Sequence, residues 1–157
     1  MDCRQIQFCD QPSQVDLEQL QSLFAIAAFW AKNRRRDDLA IAIANSDPVI
    51  SVWRESQIVG FARAISDGIY RATIWDVVVH PDYQGAGLGR KLVQTILSHP
   101  KVSRVERVYL MTTYQQEFYQ RIGFKQNTST TMVLFNQPLD ARSPLLVVAQ
   151  QKQSADF

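Results

Sequence analysis

Cysteine is scarce in this sequence. There are two, Cys3 and Cys9, both close to the N-terminus. Two thiols so placed form no disulfide framework and show no metal-ligand spacing, so no metal site is expected. They suit a reducing compartment better than a secreted one. The opening residues, MDCRQIQFCD, lack the apolar core of a signal peptide. No apolar run approaches the ~20 residues of a membrane span. Charge of one sign is also lacking. The net charge is +2, which argues against wholesale binding to nucleic acid or to a membrane surface. The expectation is a cytoplasmic protein. Its 157 residues are 46% apolar, enough for one domain with a true core.

Periodicity predicts a mixed α/β domain over residues 1–137. RQIQF (4–8) alternates as a short strand. Ser13 and Asp16 have capping-box spacing, and Leu17, Leu20, Phe24 and Ala27 mark one face of the helix that follows. Asp37 is placed to cap a second helix through about Asn45. VISVWRE and IVGFARAIS form a hairpin through Ser56 and Gln57. YRATIWDVVVH is a long strand after the Asp67-Gly68 turn. A helix with Leu88, Leu92, Val93 and Ile96 on one face ends at Pro100. RVERVYLM is a strand, YQQEFYQRI a helix stopped by Gly123, and MVLF (132–135) a closing strand. The tail, 138–157, holds LLVVA (145–149), a candidate added strand, before a polar end expected to be disordered.

Glycine is sparse too, at six residues, yet Gly85, Gly87 and Gly89 alternate within one short stretch, VVVHPDYQGAGLGRKLV (77–93). A strand runs into a bare loop, and a helix starts there. The first turn of a helix leaves N–H groups unpaired, and its dipole is positive at that end. Glycine lets successive N–H groups point into one concavity and lets a ligand approach the backbone. Arg90 and Lys91 add positive charge nearby. A phosphate-bearing ligand is the natural occupant. The stretch is not a P-loop, because Gly89 is followed by Arg-Lys-Leu. It is not a dinucleotide fingerprint either, because Arg90 stands where a third glycine is required.

Gln84-Gly85-Ala86-Gly87-Leu88-Gly89 resembles the Q/R-x-x-G-x-G/A acetyl-CoA signature of the GNAT N-acetyltransferases. VVVHPDY resembles that family's fourth strand and turn, and EFYQRIGF (117–124) its "FYxxxGF" motif. The resemblance spans roughly residues 4–136. ARAISDGIYRATIWDVVVHPDYQGAGLG is similar to the cyanobacterial and plant-plastid branch, which includes serotonin N-acetyltransferase-like enzymes and plastid lysine and N-terminal acetyltransferases. The resemblance implies a mixed sheet of six or seven strands flanked by about four helices.

It also implies acetyl-CoA as co-substrate. Its pyrophosphate would sit on the N–H groups from Gln84 through Gly85, Ala86, Gly87, Leu88 and Gly89 to Arg90. The pantetheine arm would lie along Val77, Val78 and Val79, with Phe118 alongside. The acceptor would be a small-molecule or protein amine. An alkylammonium is below ~0.1% neutral at pH 7, so the amine must lose a proton, and the departing thiolate must gain one. By resemblance Tyr119 is the general acid.

Asp76 is a carboxylate inside an apolar run, on the opposite face from Trp75 and Val77 by alternation. It is either solvent-facing or functional. If buried near the amine, desolvation would raise its pKa and suit it to accept a proton. Ordered waters could also do this. His80, ahead of Pro81, reads as a turn residue. Many family members carry Asn near the start of the "FYxxxGF" helix, and the plastid relatives an acidic residue. Here Thr112 and Thr113 stand instead, and a hydroxyl is a poor base. Trp75, Trp30 and Phe29 are candidates to contact the acceptor, although Phe29 and Trp30 equally fit the core face of a helix. Arg34 to Arg36 read as a solvated run balanced by Asp37 and Asp38. The competing functional class is a catalytically weak, CoA-binding regulatory domain. Either is compatible with a monomer or a homodimer.

Overall fold

The computed structural model describes residues 5–129 and 131–136. The chain divides into two units, 1–124 and 125–157. The first holds all the regular structure among the described residues. Its strands are β1 (Ile6–Cys9), β2 (Val49–Arg54), β3 (Gln57–Ser66), β4 (Arg71–Val79) and β5 (Arg107–Leu110). Its helices are α1 (Leu17–Ala27), α2 (Arg36–Ala44), α3 (Leu88–Ser98) and α4 (Gln116–Gln120). In the second unit the described residues form no helix or strand; Asn127 Nδ2 donates to Ser129 Oγ at 2.8 Å.

The five strands lie in sequence order. β1 to β4 pair antiparallel, and β4 pairs parallel with β5. A parallel neighbour needs a crossover, which α3 supplies. Among the described residues the expected closing strand at 132–135 is not formed and the sheet has five strands, so the six or seven expected are not confirmed. Four apolar residues carry β propensity, but propensity without a paired edge does not make a strand. The 145–149 segment and the tail from 138 lie outside the described residues.

Two helix starts differ from expectation. Pro12–Gln14 forms a 3-10 turn, so α1 begins later, and its cap is Asp16. The Asp16 carboxylate accepts the N–H groups of Glu18 and Gln19, each at 3.0 Å. Asp37 lies inside the first turn of α2, after Arg35 at the cap. An acidic residue there still complements the helix dipole.

The sheet separates two cores. On one face Ile50, Val52, Val59, Ala62, Ala64, Ala72 and Ile74 pack with Leu92, Val93 and Ile96 of α3. On the other, Val49, Ile58, Phe61 and Val78 pack with Leu20, Leu23 and Phe24 of α1 and Leu39 and Ile43 of α2. Phe24 and Phe61 meet edge to face, with ring centroids 5.8 Å apart. Each such buried side chain contributes about 1.5–3 kcal/mol. The helices of both layers are thereby fixed against β4, the strand on which the site is built.

Candidate active site

β4 is not regular. Phe61 pairs with Val78 but Arg63 with Trp75, so two residues of β4 oppose Ala62 alone. This is a β-bulge, and Asp76 within it has φ +55°. The extra residue resets the alternation. Ala72 and Ile74 face the α3 core, and so do Val77 and Val79, an odd step further on. Asp76 is left to turn toward the α1–α2 side.

There its carboxylate is buried and doubly paired. Oδ2 accepts from Arg63 Nε at 2.7 Å and from Arg34 Nη1 at 2.8 Å. Arg63 also donates from Nη1 to Ser46 Oγ at 3.0 Å. Burial pushes the Asp76 carboxyl up, but Arg34 and then Arg63 outweigh it and hold it below the ordinary carboxylate value. The sequence left two readings open for Asp76, and its burial removes the solvent-facing one. Strict alternation would set it away from Arg63, the partner of Trp75, and the bulge brings it back. Its pKa falls where a general base needs it to rise. Arg34 is corrected as well: it leaves the solvated run to reach Asp76, while Arg35 and Arg36 remain exposed.

β4 and β5 pair only over Arg71–Ile74 and Arg107–Leu110. From Trp75 to Val79 no strand lies on that edge among the described residues, and the sheet opens. Backbone groups on such an edge can bond an extended amide chain. At its end Gln84 Nε2 donates to the Val79 carbonyl at 2.9 Å, tying the glycine loop to the strand. His80 caps the intervening 3-10 turn, its Nδ1 accepting the Asp82 N–H at 3.2 Å, as a turn residue should.

The glycine loop is open to an anion. Gly85 and Gly87 have φ of +78° and +83°, and Gly87 is the cap of α3 with no side-chain bond. The first helical bond runs from the Lys91 N–H to the Gly87 carbonyl at 3.1 Å. The N–H groups of Gly85, Ala86, Gly87, Leu88, Gly89 and Arg90 have no acceptor among the described residues. A run of unpaired donors at a helix start fits a pyrophosphate. The two expected cations point elsewhere. Arg90 Nη2 donates to the Arg121 carbonyl at 3.1 Å, and Lys91 Nζ sits 4.9 Å from the Phe8 ring centroid. The donors left free in the loop are therefore backbone N–H groups rather than these two side chains.

Gly89 differs from the other two. A Cβ there would stand 3.5 Å from the Phe118 ring and 3.7 Å from Val79 Cγ2. These are ordinary van der Waals distances, so α3, α4 and β4 meet at this position with room for a methyl group. Phe118 in turn meets Tyr119 edge to face, with centroids 4.9 Å apart. Tyr119 is partly buried in the same core, and its burial pushes the phenol up to about 12. Thr112 Oγ1 accepts the Gln115 N–H at 3.1 Å, so it shapes the approach to α4.

On the acceptor side, α1 ends at Ala27, and Phe29–Ala31 is a 3-10 turn. Phe29 and Trp30 are 52% and 38% exposed, which removes them from the helical core face. Phe29 meets Trp30 edge to face at 5.1 Å and reaches Tyr114 at 6.2 Å. Tyr114 lies between β5 and α4, so a ring of the α1–α2 connection and a ring of the β5–α4 connection approach one another. Trp75 is half-buried on β4 itself. Sequence reasoning missed Tyr114, Arg63 and Ser46. Tyr114 was hidden as the first residue of an expected helix, and a lone Arg in a strand carried no signal until its carboxylate was placed.

A model of the acetyltransferase (GNAT) domain matches residues 45–126, the span from the end of α2 through α4. This chain belongs to the GNAT acetyltransferase family. An uncharacterized N-acetyltransferase, ycf52, of Pyropia yezoensis is 32% identical, covering 87% of this chain and 82% of the relative. The chloroplastic GCN5-related N-acetyltransferase 1 of Arabidopsis thaliana is 34% identical, covering 70% and 56%. The GNAT relatives lie in the plastid and cyanobacterial branch, as the Ala-Thr-Ile-Trp-Asp run implies. A GNAT-family crystal structure from Xanthomonas campestris pv. campestris is 25% identical with a TM-score of 0.73, covering 82% of this chain and 93% of its own. The GNAT fold and the N-acetyltransferase class follow. Among the described residues no helix is long and apolar enough to cross a membrane, and no cluster of potential metal ligands occurs.

Proposed function

We propose that this GNAT enzyme moves an acetyl group from acetyl-CoA to a primary amine by direct attack in a ternary complex. The observation that carries the reading is the continuous series from the unpaired N–H groups of 85–90, through Gly89 and Phe118, to Tyr119. Acetyl-CoA supplies the acetyl group as an activated thioester. The loop N–H groups hold the pyrophosphate, and the free edge of β4 at Val77–Val79 bonds the extended arm. Donors on that edge stabilise charge that develops on the carbonyl oxygen.

In the transfer, the amine nitrogen bonds to the carbonyl carbon and the carbon–sulfur bond breaks. Tyr119 stays protonated at every physiological pH, because burial holds its phenol up to about 12. Its hydroxyl donates to the departing sulfur and is reprotonated from solvent. The acceptor ammonium gives one proton to water at the open mouth of the site before attack, and the nitrogen gives a second to water as the amide forms. Asp76 stands outside this transfer, because two guanidinium groups hold it ionised and weakly basic.

The acceptor is a primary amine, presented by an arylalkylamine such as serotonin or by a protein lysine or N-terminus. Phe29, Trp30 and Tyr114 favour a group that stacks on aromatic rings, and an ammonium gains from their π faces as well.

The test is release of CoA from acetyl-CoA, read with a thiol reagent. The acceptors are serotonin, tyramine, a polyamine, a lysine peptide and peptides with free N-termini. Amine-dependent release supports the transferase, and the best acceptor selects the substrate class. Tight acetyl-CoA binding with no release from any acceptor would instead favour a regulatory domain that binds CoA.

A further inference from the structure

We infer that Arg34 is a positioning residue for the acceptor: its ion pair with Asp76 holds the Phe29–Trp30 turn at the mouth of the β4–β5 opening. The inference rests on the transferase reading above and adds a residue that reading does not use.

The argument begins with the turn. Ala28 and Ala31 are 1% and 2% exposed and anchor it inward, while Phe29 and Trp30 face out. The Ala31 N–H donates to Ala28 at 2.9 Å and the Arg34 N–H to Ala31 at 3.2 Å, so the segment from 28 to 34 is hydrogen-bonded in series. Gln21 Nε2 donates to the Arg34 carbonyl at 2.9 Å and fastens the segment's end to α1. These contacts are local to the α1–α2 connection. The link from Arg34 to β4 is of another kind. It spans to residue 76 and ends on a buried carboxylate that Arg63 holds from behind, with Ser46 Oγ in turn accepting from Arg63.

Asp76 is also the bulge residue, next to the point where β4 and β5 part. The carboxylate that receives Arg34 is thus fixed to the strand proposed to carry the thioester. The pair resists displacement from the Asp76 side, because a buried carboxylate that loses one of its two cationic partners is costly. The Arg34 stem adds a contact: its guanidinium carbon lies 5.5 Å from the Phe24 ring centroid. Arg36 in the same run only reaches Glu18 at 3.6 Å on the surface, so it serves as an internal control. A turn held in this way presents its aromatic rings at a fixed distance from the reacting centre, and displacement of about 1 Å at such a distance can lower the rate up to a hundredfold.

The experiment compares wild type with Arg34→Ala, Arg34→Lys and Arg36→Ala. Kinetics are measured separately in tyramine and in acetyl-CoA, with hydrogen exchange across residues 28–35 as a readout independent of turnover. The expected result for Arg34→Ala is a KM for tyramine raised about tenfold, a KM for acetyl-CoA within about twofold of wild type, and faster exchange in 28–35. Arg34→Lys recovers most of the loss because it keeps the charge beside Asp76, and Arg36→Ala changes neither constant. A KM for acetyl-CoA that rises in the same proportion would show a general structural role and overturn the inference. So would unchanged exchange in 28–35, or an equal effect from Arg36→Ala. Should wild type release no CoA with any amine, the transferase reading fails on its own, and the exchange rates still decide whether Arg34 holds the turn.

Discussion

The N–H of Phe124 donates back to the carbonyl of Tyr119 at 3.1 Å, and their rings meet edge to face with centroids 5.8 Å apart. One residue earlier, the Gly123 N–H donates to Gln120 at 3.0 Å, with φ +114° at Gly123. Together these bonds close the end of α4 in the manner of a Schellman motif, with its accompanying hydrophobic contact. The "GF" of the FYQRIGF stretch is therefore the device that locates Tyr119. Gly123→Ala forces a side chain into a conformation that only glycine tolerates. It is expected to cost about 1–2 kcal/mol, seen as a Tm lower by several degrees. Because Tyr119 shifts with the helix end, kcat falls by more than the KM for acetyl-CoA changes. A variant with normal kcat would separate the helix end from the chemistry.

Tyr119→Phe removes the hydroxyl and leaves the ring in its contacts with Phe118 and Phe124. Loss of a positioned proton donor is expected to lower kcat by about 10²–10⁴-fold, with acetyl-CoA affinity little changed. The phenol's raised pKa also fixes the pH behaviour. Burial favours the neutral form, so its contribution to stability is whole below the unfolded value near pH 10 and is lost as pH rises toward about 12. Below about pH 10 Tyr119 therefore gives no alkaline limb to the rate. Denaturation of both proteins between pH 9 and 11 checks the sign, since the Phe variant should lose less stability over that range.

Much of this was legible in the sequence, for physical reasons. The loop could be read because glycine at alternate positions before an amphipathic helix leaves donors that need an acceptor. Leu20, Phe24, Leu92, Val93 and Ile96 fell on buried faces because helical period alone selects them. Asp76 was misread because alternation assumes a regular strand, and a bulge depends on pairing with β3 that no local pattern records. Arg34 was misread for a related reason: its partner lies 42 positions away along the chain, and a run of three arginines looks solvated until one is seen to turn inward. The 132–135 segment has the composition of a strand, but composition alone does not supply a pairing partner, and no strand forms there.

The glycines of the loop are expected to differ on substitution. Gly87 needs φ +83° to aim the N–H groups at a common point, and nothing lies within 4 Å of a Cβ there. Gly87→Ala should cost about 1–2 kcal/mol in backbone strain or else turn the N–H groups away. Acetyl-CoA affinity should fall about tenfold or more, measured by titration calorimetry. Gly89 has an ordinary helical φ and only van der Waals neighbours at the Cβ position. Gly89→Ala should bind acetyl-CoA within a few-fold of wild type and gain up to about 1 kcal/mol in helix propensity. Equal losses in both variants would mean that space around the loop, and not backbone conformation, limits binding.

The Arg34–Asp76–Arg63 group makes a further prediction about acid. Asp76→Asn keeps the size of the side chain and leaves two guanidinium groups facing a neutral amide. A fully buried pair broken in this way costs about 3–5 kcal/mol. The Arg34 side chain is 33% exposed and can turn to water, so a loss of about 2–3 kcal/mol at pH 7 is expected here. The folded pKa of Asp76 lies below the ordinary value, so its ionised form is the one the fold favours. That contribution is complete above the unfolded pKa near 3.9. As pH falls below this, the unfolded chain takes up the proton first, and the advantage disappears once the folded carboxyl is protonated too. Wild type should lose stability between pH 5 and pH 2, and the Asn variant, weaker at pH 7, should lose less over the same interval. Urea midpoints at pH 7, 5 and 3 measure both slopes. Parallel slopes would mean that the two arginines do not hold Asp76 ionised in the folded protein.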